Sequence, residues 1–91
     1  MTAIHRGNGK FYVGENEQEP SAEITFTQEN DSTIRVDHTY VSDQLRGQGM
    51  AGKLVAEVVS YAREEGKKIR PECSYAKNKL EKTSEYHDVL V

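Results

Sequence analysis

The sequence predicts an α/β domain: an antiparallel strand meander, then a central helix, a parallel strand and a short C-terminal helix. Three observations predict it. Apolar and polar residues alternate with period two from Ala22 to Thr27 and again from Ile34 to Tyr40, the pattern of half-buried strands. Met50, Ala51, Leu54, Val55, Val58, Val59 and Ala62 then form one stripe at helical spacing. Between the two patterns lies Gln44-Leu45-Arg46-Gly47-Gln48-Gly49-Met50-Ala51, where a strand must give way to a helix. With 91 residues, the chain is expected to form one small domain over positions 1–91.

Lys10 to Gly14 is short, aromatic and β-branched, and reads as the first strand. Glu15 to Pro20 is polar and ends in proline, so it turns. Ala22, Ile24 and Phe26 give the second strand its buried face. Gln28 to Ser32 reads as a second turn, and the glycosylation-like Asn30-Asp31-Ser32 falls within it. In the third strand Ile34, Val36, His38 and Tyr40 share one face. The helix is expected from about Gly49 to Glu65, stopped by Gly66, with Lys53, Glu57, Ser60, Arg63 and Glu64 facing water. Lys67 to Cys73 follows as a strand, parallel to its predecessor because a helix connects them. Ser74 is placed to cap a second helix ending near Lys82. The tail from Glu85 to Val91 is expected to pack through its apolar residues.

Composition narrows the function. Charged residues make up 30% and the formal charge is −3, which argues against a general nucleic-acid binder. No apolar run approaches the ~20 residues of a membrane span, and the segment from Met1 to Arg6 lacks a signal-peptide apolar stretch. The single cysteine cannot form an internal disulfide and fits a reducing cytoplasm. Three scattered histidines and one cysteine give no metal-ligand spacing, and no Ser/His/Asp arrangement stands out. The glycine pair is neither a nucleotide-hydrolase phosphate loop nor a dinucleotide fingerprint. What it offers is physical. Glycine permits positive φ and close backbone approach, and bare amides at a helix start attract an anion. The plainer alternative is a tight turn that holds no ligand.

Gln44-x-x-Gly47-x-Gly49 resembles the acyl-CoA signature of the GNAT N-acetyltransferases, Arg/Gln-x-x-Gly-x-Gly/Ala. A longer pattern is similar to the small stand-alone Yjdj-type domain of that superfamily. It comprises His38-Thr39, Leu45-Arg46-Gly47-Gln48-Gly49, Ala51-x-x-Leu54-Val55, Tyr61-Ala62-Arg63, Cys73, Tyr75 and Glu85-Tyr86. The resemblance covers roughly Ala22 to Leu90 and implies a minimal GNAT-like fold that binds acetyl-CoA and moves its acetyl group to a primary amine. It implies that amides of Arg46, Gly47, Gln48, Gly49, Met50 and Ala51 hold the pyrophosphate and that backbone near Val41 meets the pantetheine and thioester. Larger members carry two helices between their first and second strands. Glu15 to Pro20 is too short for them, so parts that usually shape the acceptor site are missing. Relatives also often have glutamate where Tyr40 stands and proline where Ser74 stands.

The candidate catalytic residues each carry two readings. Cys73 is either a small packing residue or a thiolate favoured by a helix start and able to accept the acetyl group. His38 is either a hydrogen-bonded core residue or a general base. Tyr75 either caps the core with its ring or returns a proton to the CoA thiolate, as tyrosine does in many superfamily members. Arg46 pairs with a phosphate or with a surface carboxylate, and Asp37 is expected in solvent. The expected partners are acetyl-CoA and an amine the sequence does not identify, with the chain a monomer or weak homodimer. The rival is a non-catalytic acyl-CoA-binding or interaction module.

Overall fold

A computed structural model describes residues 3–91. The reading of the N-terminus as lacking a signal stretch begins at Met1 and Thr2, outside the described residues. Five strands form one mixed sheet in sequential order: β1 (His5–Gly7), β2 (Lys10–Val13), β3 (Ala22–Asn30), β4 (Thr33–Val41) and β5 (Lys68–Pro71). The first four are antiparallel, and β4 and β5 are parallel across α1 (Met50–Glu65). The second helix, α2, is Ser74–Lys82. Among the described residues no helix is long and apolar enough to cross a membrane.

Strand β1 adds a fourth antiparallel member to the three expected. It is a polar edge of three residues, His5, Arg6 and Gly7, with no alternation for a sequence pattern to detect. The second turn is tighter than expected, since β3 runs to Asn30 and only Asp31 and Ser32 form the tip. Asn30 Oδ1 accepts from both the amide (2.9 Å) and the hydroxyl (3.0 Å) of Ser32, a side-chain-closed turn.

The core lies between one face of the sheet and the two helices. Ala22, Ile24, Ile34 and Val36 supply the sheet side, and Leu54, Val55, Val58, Val59 and Ala62 supply the α1 side. Ala76 and Leu80 of α2 close it. Every residue of the expected water-facing set on α1 is exposed. Gly66 ends α1 at φ +66°, with its amide reaching back to the Ala62 and Arg63 carbonyls. The tail runs along the open edge of β5: Ile69 N donates to Val89 O (2.6 Å) and Val91 N to Ile69 O (3.0 Å). Val89 is buried, as expected, whereas Val91 is largely exposed.

Candidate functional site

The site forms where the two parallel strands part. Pairing of β4 with β5 runs from Thr33↔Lys68 to Val36↔Pro71 and stops. Pro71 has no N–H to donate, and the next two amides, Glu72 and Cys73, both turn back to the Val36 carbonyl at 2.9 and 3.3 Å. Beyond Val36, β4 continues to Val41 paired only with β3. Its other edge therefore has no strand partner along residues 37–41.

A β-bulge lies at the same point. Phe26 pairs with Val36 and Thr25 with His38, leaving Asp37 as an extra residue on β4. The bulge inverts the alternation. Ile34 and Val36 face the helices before it; after it Thr39 and Val41 do so, opposite the buried Ile24 and Ala22. His38 is therefore not a core residue. It shares the outer face of the sheet with Tyr40, and both are exposed. Asp37, on the same face, is exposed but engaged. Thr27 Oγ1 and Arg35 Nε each donate to it at 2.6 Å. Burial alone would raise its pKa, but these bonds and the Arg35 charge hold it below the usual carboxylate range.

Cys73 is half-buried at the mouth of the gap, directly before α2. It occupies the N-cap position expected of Ser74, which is instead the first helical residue, and no side chain caps the helix. The Cys73 sulfur lies 3.4 Å from Thr39 Oγ1 across the opening. Burial pushes the thiol pKa up, yet the Thr39 hydroxyl and the amides of Ala76, Tyr75 and Thr39 together bring it below the ordinary value. Sequence spacing does not single out Thr39 as this partner, because only the bulge turns it toward the gap. Tyr75 follows in the first turn of α2. Tyr75 is 41% exposed and is absent from the residues packed against the core, so it does not cap it.

After β4, a 3₁₀ turn at Asp43–Leu45 leads into the glycine loop. Gly47 (φ +84°) and Gly49 (φ +72°) are both left-handed, and a Cβ on either would meet nothing within 4 Å. Glycine is needed there for the backbone angle, in a loop open to its surroundings. The first bond of α1 runs from Lys53 N to Gly49 O at 3.1 Å. Residues 46–49 form a turn, and no close backbone hydrogen bond engages the amides from Gly47 to Gly52. The first turn of α1 has no acidic residue and no side-chain cap. These loosely engaged donors and the positive helix end point to one place, where an anion would be favoured. Arg46 is 70% exposed, 3.1 Å from Asp43 Oδ1, and its Nε donates to Val41 O at 3.4 Å, so its pairing here is with the surface carboxylate. Gln48 Nε2 donates to Gln44 O at 3.2 Å, bracing the loop. The Ser42 hydroxyl, at the end of β4, is buried without a hydrogen-bond partner.

The structure thus gathers Val41, the loop from Arg46 to Ala51, Cys73 and Tyr75 around the parted strands, and sets His38 on the outer face. A mixed sheet whose parallel pair opens beside a glycine-bearing helix start defines an α/β domain with a cleft at the split. The chain belongs to the GCN5-related N-acetyl-transferase family, whose model matches residues 10–89. The solution structure of a "GCN5-like putative N-acetyltransferase" from Staphylococcus aureus is 46% identical, with a TM-score of 0.84 over 98% of this chain and 87% of that one. Ard1 from Thermoplasma volcanium shares the fold at 16% identity (TM-score 0.58, 69% of this chain, 43% of that one). So does YhbS from Escherichia coli, a GNAT family N-acetyltransferase in complex with CoA, at 20% identity (TM-score 0.57, 68% and 38%). Among curated proteins no match is found.

Proposed function

We propose that this protein binds acetyl-CoA in the opening between β4 and β5 and transfers the acetyl group to a primary amine. The observation that carries the reading is the coincidence of two sets of backbone groups left without strand or close helix partners. The edge of β4 from residue 37 to 41, left without a strand partner, suits an amide-bearing pantetheine arm, and the loosely engaged amides from Gly47 to Gly52 suit a pyrophosphate. The positive φ and open surroundings of Gly47 and Gly49 fit close approach of a phosphate to backbone. The E. coli neighbour, which shares the fold, was crystallised with CoA, which supports CoA as the ligand.

Acetyl-CoA supplies an activated acyl group as a thioester. The residues of this chain have three tasks. Backbone donors of β4 orient the arm and polarise the thioester carbonyl as charge develops on its oxygen. A base removes the proton that the amine must lose, and an acid returns a proton to the departing thiolate, so that amine and thioester become amide and thiol. Asp37 is a poor base, because Arg35 and Thr27 stabilise its charged form. His38, exposed on the adjoining face, is the better candidate. Tyr75, the acid that the family resemblance suggests, has its hydroxyl over the first turn of α1 near Gly52, away from the thioester end of the opening.

A second route is favoured by the Cys73 environment. Its thiolate, stabilised across the gap, would attack the thioester carbonyl and expel the CoA thiolate, which takes a proton. An amine would then attack the enzyme thioester and release Cys73. The test is titration of labelled protein with CoA, then incubation with acetyl-CoA with and without an amine pool. Saturable shifts of the amides from Arg46 to Ala51 are expected, with acetylated amine in the product mixture. Absence of loop shifts at millimolar CoA would overturn the binding assignment. Binding without turnover would leave a non-catalytic acyl-CoA module.

A further inference from the structure

Resting on that reading of the site, we infer that Lys79 of α2 is the cation that meets the cofactor's diphosphate at the foot of α1. Lys79 projects from the second helix onto the first turn of α1. A Cβ built on Gly52 would stand 3.6 Å from Lys79 Cε, 3.8 Å from its Nζ and 3.7 Å from the Tyr75 hydroxyl. Gly52 is thus the platform on which an ammonium and a hydroxyl lie side by side over the helix start. Lys79 is half-buried, and among the described residues its ammonium forms no ion pair or hydrogen bond.

That placement opposes the rule for an unliganded helix. A cation is favourable at a helix C-terminus and unfavourable at the N-terminus, where the dipole is already positive. Here the N-terminus has no acidic residue in its first turn and no side-chain cap, and no close backbone hydrogen bond engages the amides from Gly47 to Gly52. An anion held between those amides and the Lys79 ammonium satisfies both. Arg46 is less suited to the task. It stands 70% exposed at the outer lip and is engaged by Asp43 and the Val41 carbonyl. The diphosphate is the group assigned, because Lys79 lies over the turn where the free amides converge.

The experiment compares wild type, Lys79→Gln and Lys79→Arg by calorimetric titration with CoA and with dephospho-CoA, which lacks the 3′-phosphate. Unphosphorylated pantetheine is followed by amide shifts. Loss of a charge-assisted contact predicts that Lys79→Gln weakens CoA and dephospho-CoA by a similar factor, about tenfold, while pantetheine shifts are unchanged. Lys79→Arg, which keeps the charge, should recover most of the affinity. Unaltered CoA affinity in Lys79→Gln, with wild type binding normally, would overturn the assignment and leave the cofactor reading standing. A loss for CoA alone would move Lys79 to the 3′-phosphate and likewise overturn it. Failure of wild type to bind CoA at all would remove both.

Discussion

At Cys73 two opposing effects act on one sulfur. Partial burial favours the thiol, while a hydroxyl and three amides favour the thiolate, and the balance falls below the ordinary pKa. The Thr39 hydroxyl is the largest of the favourable contributions, so Thr39→Val should shift the pH midpoint of alkylation upward and slow the reaction at neutral pH. Rates of iodoacetamide labelling across pH check this; an unchanged midpoint would mean that the amides alone set the thiol's acidity. The same residue decides between the two chemical routes. If the acetyl group passes through Cys73, intact protein gains one acetyl mass that hydroxylamine removes, and Cys73→Ala loses amine acetylation while still binding CoA. Full activity in Cys73→Ala would assign direct transfer. Gly49 tests the loop differently. Its φ of +72° is reached by asparagine at modest cost and by valine only under strain, although a Cβ there meets nothing within 4 Å. Gly49→Val should cost about 1–3 kcal/mol in denaturant unfolding and weaken CoA binding, and Gly49→Asn distinctly less.

At the scale of elements, α1 gives the sharpest contrast between its two faces. Leu54 and Val58 are buried against the sheet, while Lys53 and Glu57 face water on the same helix. Leu54→Ala should cost about 2–5 kcal/mol through lost burial and a residual cavity. Glu57→Ala should stay within about 0.5 kcal/mol. Equal losses measured by chemical denaturation would refute the packing face. This helix was legible because its signals agree: a stripe at helical period, glycine at both ends, and charges on the other side. The meander was legible for the same reason wherever one face is apolar. Strand β1 was not, since an exposed three-residue edge carries no period. The β4 bulge was not recognised either, and it moved His38 from the expected core to the open face. Its trace in sequence is a parity change, from apolar Ile34 and Val36 at even positions to Thr39 and Val41 at odd ones. A single slipped residue reverses every side chain that follows, so a pattern continued past the slip assigns the wrong face. The glycine loop was legible at Gly47 and Gly49, but Thr39 and Lys79 come to the opening only through the tertiary approach of β4 and α2.

For the molecule as a whole, the parted strands need an anchored β5, because that strand has β4 on one side and only the C-terminal tail on the other. The tail is held from two directions. Val89 enters the core and its carbonyl accepts from Ile69, while Arg63 in the last turn of α1 grips the segment from the surface. Arg63 Nε and Nη2 donate to the two Asp88 carboxylate oxygens at 3.0 and 2.9 Å, and Nη2 also donates to the Glu85 carbonyl at 2.6 Å. These bonds tie α1 to the strand edge that forms one wall of the gap. They also hold the Asp88 pKa below its ordinary value, with the Arg63 hydrogen bond the leading cause. The sign follows from linkage. A carboxyl whose folded pKa is depressed stabilises the fold fully above its unfolded pKa, about 3.9, and loses that contribution as pH falls through the folded value. Asp88→Asn should therefore lower the melting temperature at pH 7, and the gap from wild type should close as pH falls below about 4. Both groups are solvent-exposed, so the difference at pH 7 should also shrink in high salt. Melting curves of the two proteins at pH 7 and pH 3, each at low and high ionic strength, check this. Equal melting temperatures at pH 7 and low salt would show that Val89 burial and the Ile69 hydrogen bonds hold the tail without the Arg63 clamp. A constant difference at every pH would locate the effect of the substitution in something other than the Asp88 charge.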